Sequence, residues 1–274
     1  YDISQSGSID VLVFLDNSFS MVAKDVQPSR QELAKSAALN LAEKGILRPG
    51  DRVTVFVFGG IARWRMPLSE DLEDFKPKVA EVSQPAVYQE ESQLDTDFSY
   101  LLDYAAKSMD KQDNFSKSNR ETLHLKPYFN SRIAFLFSDG NDESDRPLEK
   151  SLREFSQRKI KIYGVGIGTA GGETISITAY DSRDPQKPPE KITVKSKLQM
   201  KALEKIAQAT EGEIFALDSE YKQSQLESFM RGAVNANRSA LPRLIYSDKG
   251  RDIWWEVLSW SAAVTFFLMI WLAI

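Results

Sequence analysis

Four apolar runs, Ile9–Leu15, Arg52–Phe58, Ile133–Phe137 and Ile160–Gly166, are separated by stretches of helical periodicity. The first and third are almost unbroken rather than alternating. Strands buried on both faces need that pattern, and it belongs to parallel sheets covered by helices. Strand–helix alternation from residue 9 to residue 217 therefore predicts an α/β fold: a doubly wound, mostly parallel sheet with helices on both faces. In such folds ligands sit at the carboxyl ends of the strands, where the strand order reverses.

Local signals place the remaining elements. Ser29-Arg30-Gln31-Glu32 has capping-box spacing and opens a helix to about Lys44, with Leu33, Ala37 and Leu41 on one face. Ile61 to Met66, after Gly59-Gly60, reads as an antiparallel edge strand. A helix from about Glu70 to Val82 takes Ser69 as its cap, and another begins after Thr96. Leu148, Leu152 and Phe155 mark a helix opened by Pro147. Residues 173–195 read as a hairpin around the Pro-rich loop 184–189. Ser196-Lys197-Leu198-Gln199 reads as a second capping box, for a helix that ends at Gly212, and Glu213–Leu217 as a last strand.

The expected organisation is a lead-in over 1–7, a globular domain over 8–220, a juxtamembrane helix and linker over 221–252, and a transmembrane helix over 253–274. Val257–Ile274 carries no charge and covers roughly 27 Å as a helix, close to the hydrocarbon thickness of a bilayer. Trp254, Trp255 and Trp260 cluster at one end as an interfacial belt would. The chain opens on Tyr1 and stops inside this run, as a trimmed or processed form would. Lys107 to Arg132 reads as an exposed polar insertion and a candidate carrier of partner specificity.

Composition narrows the chemistry. There is no cysteine, which removes disulfides, thiolate metal sites and thiol nucleophiles. One histidine, His124, cannot build a zinc site of the His-Glu-x-x-His type. A formal charge of −4 without a basic stripe argues against nucleic acid.

The first strand runs into Asp16-Asn17-Ser18-Phe19-Ser20, which reads Asp-x-Ser-x-Ser. One carboxylate and two hydroxyls on a tight loop are hard oxygen ligands, suited to Mg²⁺, Mn²⁺ or Ca²⁺. Asp139-Gly140-Asn141 follows the third run in the same manner, and Thr96 stands at the mouth of a helix. Asp16, Ser18, Ser20, Thr96 and Asp139 are the candidate ligands of one cation.

In that order, these five residues resemble the metal-ion-dependent adhesion site of the von Willebrand factor type A family, over about residues 8–220. The resemblance implies Mg²⁺, Mn²⁺ or Ca²⁺ held directly by Ser18 and Ser20 and, in the engaged state, by Thr96. Asp16 and Asp139 would act directly or through water. An ion whose carboxylates stand mostly one layer out stays electrophilic, so the implied output is capture of a partner's Asp or Glu. Asn17 and Phe19 depart from the smaller or charged residues of many relatives, placing a bulky Phe at the rim.

A narrower resemblance rests on Val26-Gln27-Pro28-Ser29-Arg30, Ile162–Gly168, Gly171-Gly172 and Ile206–Gly212 together with the apolar C-terminus. These are similar to bacterial Bat-type (aerotolerance-associated) proteins, encoded near MoxR-type AAA+ ATPases. The resemblance implies a membrane-anchored adaptor or assembly factor working with a protein partner, other such membrane proteins and a MoxR-type ATPase. It implies the bacterial inner membrane, reached through 253–274. Arg238, Arg243, Lys249 and Arg251 favour a cytoplasmic domain by the positive-inside rule, whereas the relatives are drawn with theirs in the periplasm, the side favoured here.

Two rival classes are a metal-dependent hydrolase or phosphoryl-transfer enzyme and a structural membrane protein with a vestigial site. The chain lacks a phosphate-loop lysine and a Gly-x-Ser-x-Gly elbow, which weighs against an enzyme. Gly166-Ile167-Gly168-Thr169-Ala170-Gly171 fits a dinucleotide fingerprint, but the residues after it read as extended rather than helical.

Overall fold

The computed structural model describes residues 2–4, 8–83, 95–122, 130–179, 190–238 and 243–245. They fall into two units, one spanning 8–239 and one made from the two ends of the chain. In the end unit, β1 (Asp2–Ser4) pairs antiparallel with β10 (Arg243–Ile245), Asp2 opposite Ile245 and Ser4 opposite Arg243.

The larger unit is built on a six-stranded sheet. Its strands are β2 (Ile9–Asp16), β3 (Arg52–Phe58), β4 (Ala62–Ser69), β5 (Ser131–Ser138), β6 (Lys161–Ile167) and β9 (Ile214–Leu217), in the order β4-β3-β2-β5-β6-β9. All neighbours are parallel except the edge pair β3–β4. Every residue of β2 is buried, which is why its sequence does not alternate. Val11, Val13 and Leu15 pack into a core with α1 (Arg30–Glu43), α2 (Leu72–Ala80) and α6 (Gln223–Ala236). Leu12 and Phe14 pack into a second core with α3 (Phe98–Thr122), α4 (Leu148–Gln157) and α5 (Met200–Ala209). Helices thus cover both faces, as the doubly wound reading requires. The strand order reverses between β2 and β5, so the switch point opens beside Asp16 and Ser138.

Several local expectations change. The cap of α2 is Asp71, whose carboxylate accepts from Glu73 N and Asp74 N, and Ser69 instead accepts from Asp71 N. A carboxylate reaching two free amides outcompetes a hydroxyl two residues earlier. Ser196 caps nothing: it ends β8 (Glu190–Ser196), which pairs antiparallel with β7 (Glu173–Ala179). At the end of α5 the left-handed residue is Glu211, with φ +56°. Gly212 is needed for a different reason, because a Cβ there would lie 1.9 Å from the carbonyl oxygen of Ile162.

The expected insertion 107–132 is in its described part regular secondary structure, and residues 123–129 lie outside the described residues. Residues 107–122 continue α3 and 131–138 form β5. Met109 is buried, Gln112 bonds both backbone groups of Leu68 on the edge strand, and Asp110 pairs with Arg158. Asp113 takes a fork of bonds from Arg132, which also reaches buried Asp10. Covering an edge strand protects it from pairing with other chains. The polarity of 107–113 is that of a helix making ion pairs. Met109→Ala is expected to cost about 2–4 kcal/mol, read as a lower urea midpoint. An unchanged midpoint would restore the surface-loop reading.

The helix expected within the juxtamembrane segment 221–252 is α6, which contributes Leu226, Met230 and Val234 to the core. Arg238, just beyond it, forks onto buried Asp51 at 2.6 and 2.7 Å. The expected transmembrane helix 253–274, His124 and the Pro-rich loop lie outside the described residues. Among the described residues no helix is long and apolar enough to cross a membrane.

Candidate metal centre

The first candidate loop is set by the end of β2. Leu15 pairs with Phe137, which puts Asp16 level with Ser138 on the neighbouring strand. Asp16 is 1% exposed. One of its oxygens accepts from Ser18 N at 2.8 Å and the other from Ser138 Oγ at 2.5 Å. Asn17 N donates to Phe58 O, and a single 3₁₀ turn, Phe19–Val22, follows. That tight turn brings Ser18 Oγ within 3.1 Å of Ser20 Oγ.

Phe19 does not stand at a rim. It is buried against Ala23 and Ile175, the latter on β7, so the side chain anchors the loop to the hairpin.

The second loop leaves β5. Asp139 is fully buried. Its Oδ1 accepts from Asn141 N at 3.2 Å; its Oδ2 accepts from Arg30 Nη1 at 2.7 Å and Ser196 Oγ at 3.1 Å. Gly140 takes φ +79°, and a Cβ there would lie 2.0 Å from Gln199 O. Ser138 Oγ accepts from Gly140 N, closing the turn.

Thr96 is buried just ahead of α3. Its carbonyl accepts from Glu143 N at 3.0 Å, joining it to the loop after Asp139. Asp97 caps α3 through Tyr100 N and holds Gly59 O with its own N–H. Side-chain bonds thus tie Asp16 to Ser138, next to Asp139, and Ser18 to Ser20. Arg30 spans Asp139 and the Ser20 carbonyl. Among the described residues Thr96 joins the group through its backbone carbonyl.

The electrostatics are one-sided. Burial, helped by the charge of Asp139, pushes the Asp16 carboxyl up to about 7. Burial and Asp95 raise Glu143, and burial raises Asp142. Asp139 has Arg30 as counter-ion. Among the described residues no lysine or arginine pairs with Asp16. Two buried carboxylates a strand apart, one without a cationic partner, together with two hydroxyls, fit a hard divalent ion. Among the described residues no three His, Cys, Asp or Glu side chains group as ligands, so a cation here depends on the hydroxyls.

Arg30 and Ser196 are the site's unforeseen members. Arg30 is fully buried at the first turn of α1 and forks onto Asp25 with two 2.8 Å bonds. Burial opposes ionising Asp25, but Arg30 and Thr169 outweigh it and hold its carboxyl below the usual range. Gly168, at φ +127°, leaves the space: a Cβ there would lie 2.6 Å from Arg30 Nε. The Gly-rich stretch after β6 thus makes room for an arginine and runs on into strand β7.

Residues 11–141 match the family model described as the von Willebrand factor type A domain. That match spans just under half of the chain. Among solved structures the chain is similar to BatB from Bacteroides thetaiotaomicron, with TM-score 0.60 and 21% identity over 81% of this chain and 97% of that one. It is also similar to an aerotolerance-related membrane protein from Bacteroides fragilis, with TM-score 0.59 and 23% identity over 84% and 98%. Proximal thread matrix protein 1 of the mussel byssus, in a structure with a zinc-occupied adhesion motif, gives TM-score 0.54 and 14% identity over 84% and 48%. A comparison with curated protein sequences returned no match.

Proposed function

We propose that this domain is a divalent-cation-dependent protein-binding module, the working part of a membrane-tethered bacterial adaptor or assembly factor of the Bat kind. The observation that carries the reading is the pair of buried carboxylates, Asp16 and Asp139, on adjacent strand ends beside the Ser18 and Ser20 hydroxyls. Asp16, Ser18, Ser20, Thr96 and Asp139 would hold Mg²⁺, Mn²⁺ or Ca²⁺. When bound, the cation supplies a Lewis-acidic position for an Asp or Glu carboxylate of a partner protein. The zinc-occupied motif of the mussel protein supports the choice of a divalent cation for this fold.

The chain's own residues provide the rest. Ser138 and the Ser18 amide hold Asp16 in one orientation, and Arg30 with Ser196 holds Asp139. The likeness to BatB and to the aerotolerance-related membrane protein supports tethering to the bacterial inner membrane, with a MoxR-type ATPase and related membrane proteins as candidate partners. The periplasmic side remains the favoured one.

The test is capture from a detergent extract of the source cells with and without chelator. Partner recovery is expected with Mg²⁺ or Mn²⁺, and a drop of at least tenfold with chelator or with Thr96→Ala, a loss of ~1.4 kcal/mol or more. Thr96 lies outside the Arg30 network, so the variant should fold. Recovery that ignores both changes would refute cation-dependent binding.

A further inference from the structure

The geometry points to Arg30 as a positioning residue of the cation site, one that keeps Asp139 from binding the ion too well. The inference rests on the cation-binding reading above. A carboxylate oxygen has two lone-pair directions. Both on Asp139 Oδ2 are taken, by Arg30 Nη1 at 2.7 Å and Ser196 Oγ at 3.1 Å. Among the described residues Oδ1 has a single long bond, from Asn141 N at 3.2 Å. A cation sharing Asp139 is therefore left with Oδ1, or with a water between them.

Arg30 cannot turn aside. Its Nε and Nη2 are held by both oxygens of Asp25, Nη1 also reaches Ser20 O and Ser196 Oγ, and Nη2 reaches Ser196 O. Asp25 is locked in turn by the N–H and hydroxyl of Thr169. The guanidinium is a fixed positive charge in a buried place, where charge interactions are only partly screened. It draws Asp139 toward itself and repels an incoming cation. Both effects weaken cation binding and leave a bound ion with more need of an outside carboxylate. Ser196 extends the device to the hairpin, because it is the last residue of β8.

This role makes a prediction opposite in sign to that of a merely structural arginine. In Arg30→Met, Asp139 is freed and a like charge is removed. The Kd for Mg²⁺ or Mn²⁺, measured by calorimetry on the full chain, should then fall by about tenfold. Thermal stability in chelator should fall at the same time, since Asp25 loses its partner. Ser196→Ala frees one lone pair of Oδ2 without burying an unpaired charge, and should tighten binding about threefold. It carries the test if Arg30→Met does not fold. Cation affinity that is unchanged or weaker in the folded variants would overturn the inference while leaving cation-dependent capture standing. No cation binding by the unaltered chain would overturn both.

Discussion

Asp16→Asn is expected to abolish the proposed divalent-cation binding and to stabilise the metal-free domain above neutral pH. In the folded chain the Asp16 carboxyl is pushed from its ordinary value of 3.8 to about 7, first by burial and then by Asp139. Between those values the folded chain keeps a proton that the unfolded chain has released. Stability therefore declines as pH rises through that window, and the penalty is complete above it. At pH 8 the penalty is about 4 kcal/mol. An amide carries no charge to desolvate, can still accept from the Ser18 amide, and can donate to the Ser138 oxygen. Urea unfolding in chelator should show Asp16→Asn more stable than the parent at pH 8, with a much smaller gain at pH 5. Equal gains at both pH values would mean that Asp16 does not hold an unpaired buried charge. Calorimetry with Mg²⁺ should show no binding by the variant, because a divalent ion is left with one carboxylate instead of two.

Gly140→Ala is expected to damage fold and site together. The position takes φ +79°, and the added Cβ would lie 2.0 Å from Gln199 O, a backbone atom held by the loop it belongs to. Strain of a non-glycine residue in that region and the forced shift of a packed loop each cost about 1–3 kcal/mol, so a total near 3–5 kcal/mol is expected. The turn that presents Asp139 is the part that must move. A lower melting temperature should come with weakened cation binding. Alanine at Gly45, also at positive φ but with nothing within 4 Å of the added Cβ, separates the two costs. It should lose only the backbone share, about 1–2 kcal/mol, with cation binding intact. If Gly140→Ala were no worse than this control, the close approach to Gln199 would be irrelevant.

Much of this architecture is legible from local pattern. Unbroken apolar runs such as Ile9–Leu15 require burial on both faces, and that requirement forces a covered parallel sheet. Asp16 and Asp139 are legible as a pair because each follows such a run, and parallel strands bring their carboxyl ends to one edge. Helix ends are less legible, because competing caps lie within a few residues of each other, as Ser69 and Asp71 do. The polar stretch 107–113 misleads because composition does not distinguish a solvated loop from a helix whose charges meet partners on other elements. Arg158 and Arg132, which satisfy Asp110 and Asp113, are distant in sequence.

The order of strands and helices, the two carboxylate loops and their hard-oxygen chemistry were determined by the sequence alone, since each depends on short-range periodicity and residue type. Only the tertiary structure decided how the carboxylates are held. It placed Arg30 between Asp25 and Asp139, brought Ser196 from the hairpin, and left Asp16 without a paired cation among the described residues. The physical reason is that a buried charge is defined by what surrounds it in space, and those neighbours come from segments more than a hundred residues apart in the chain.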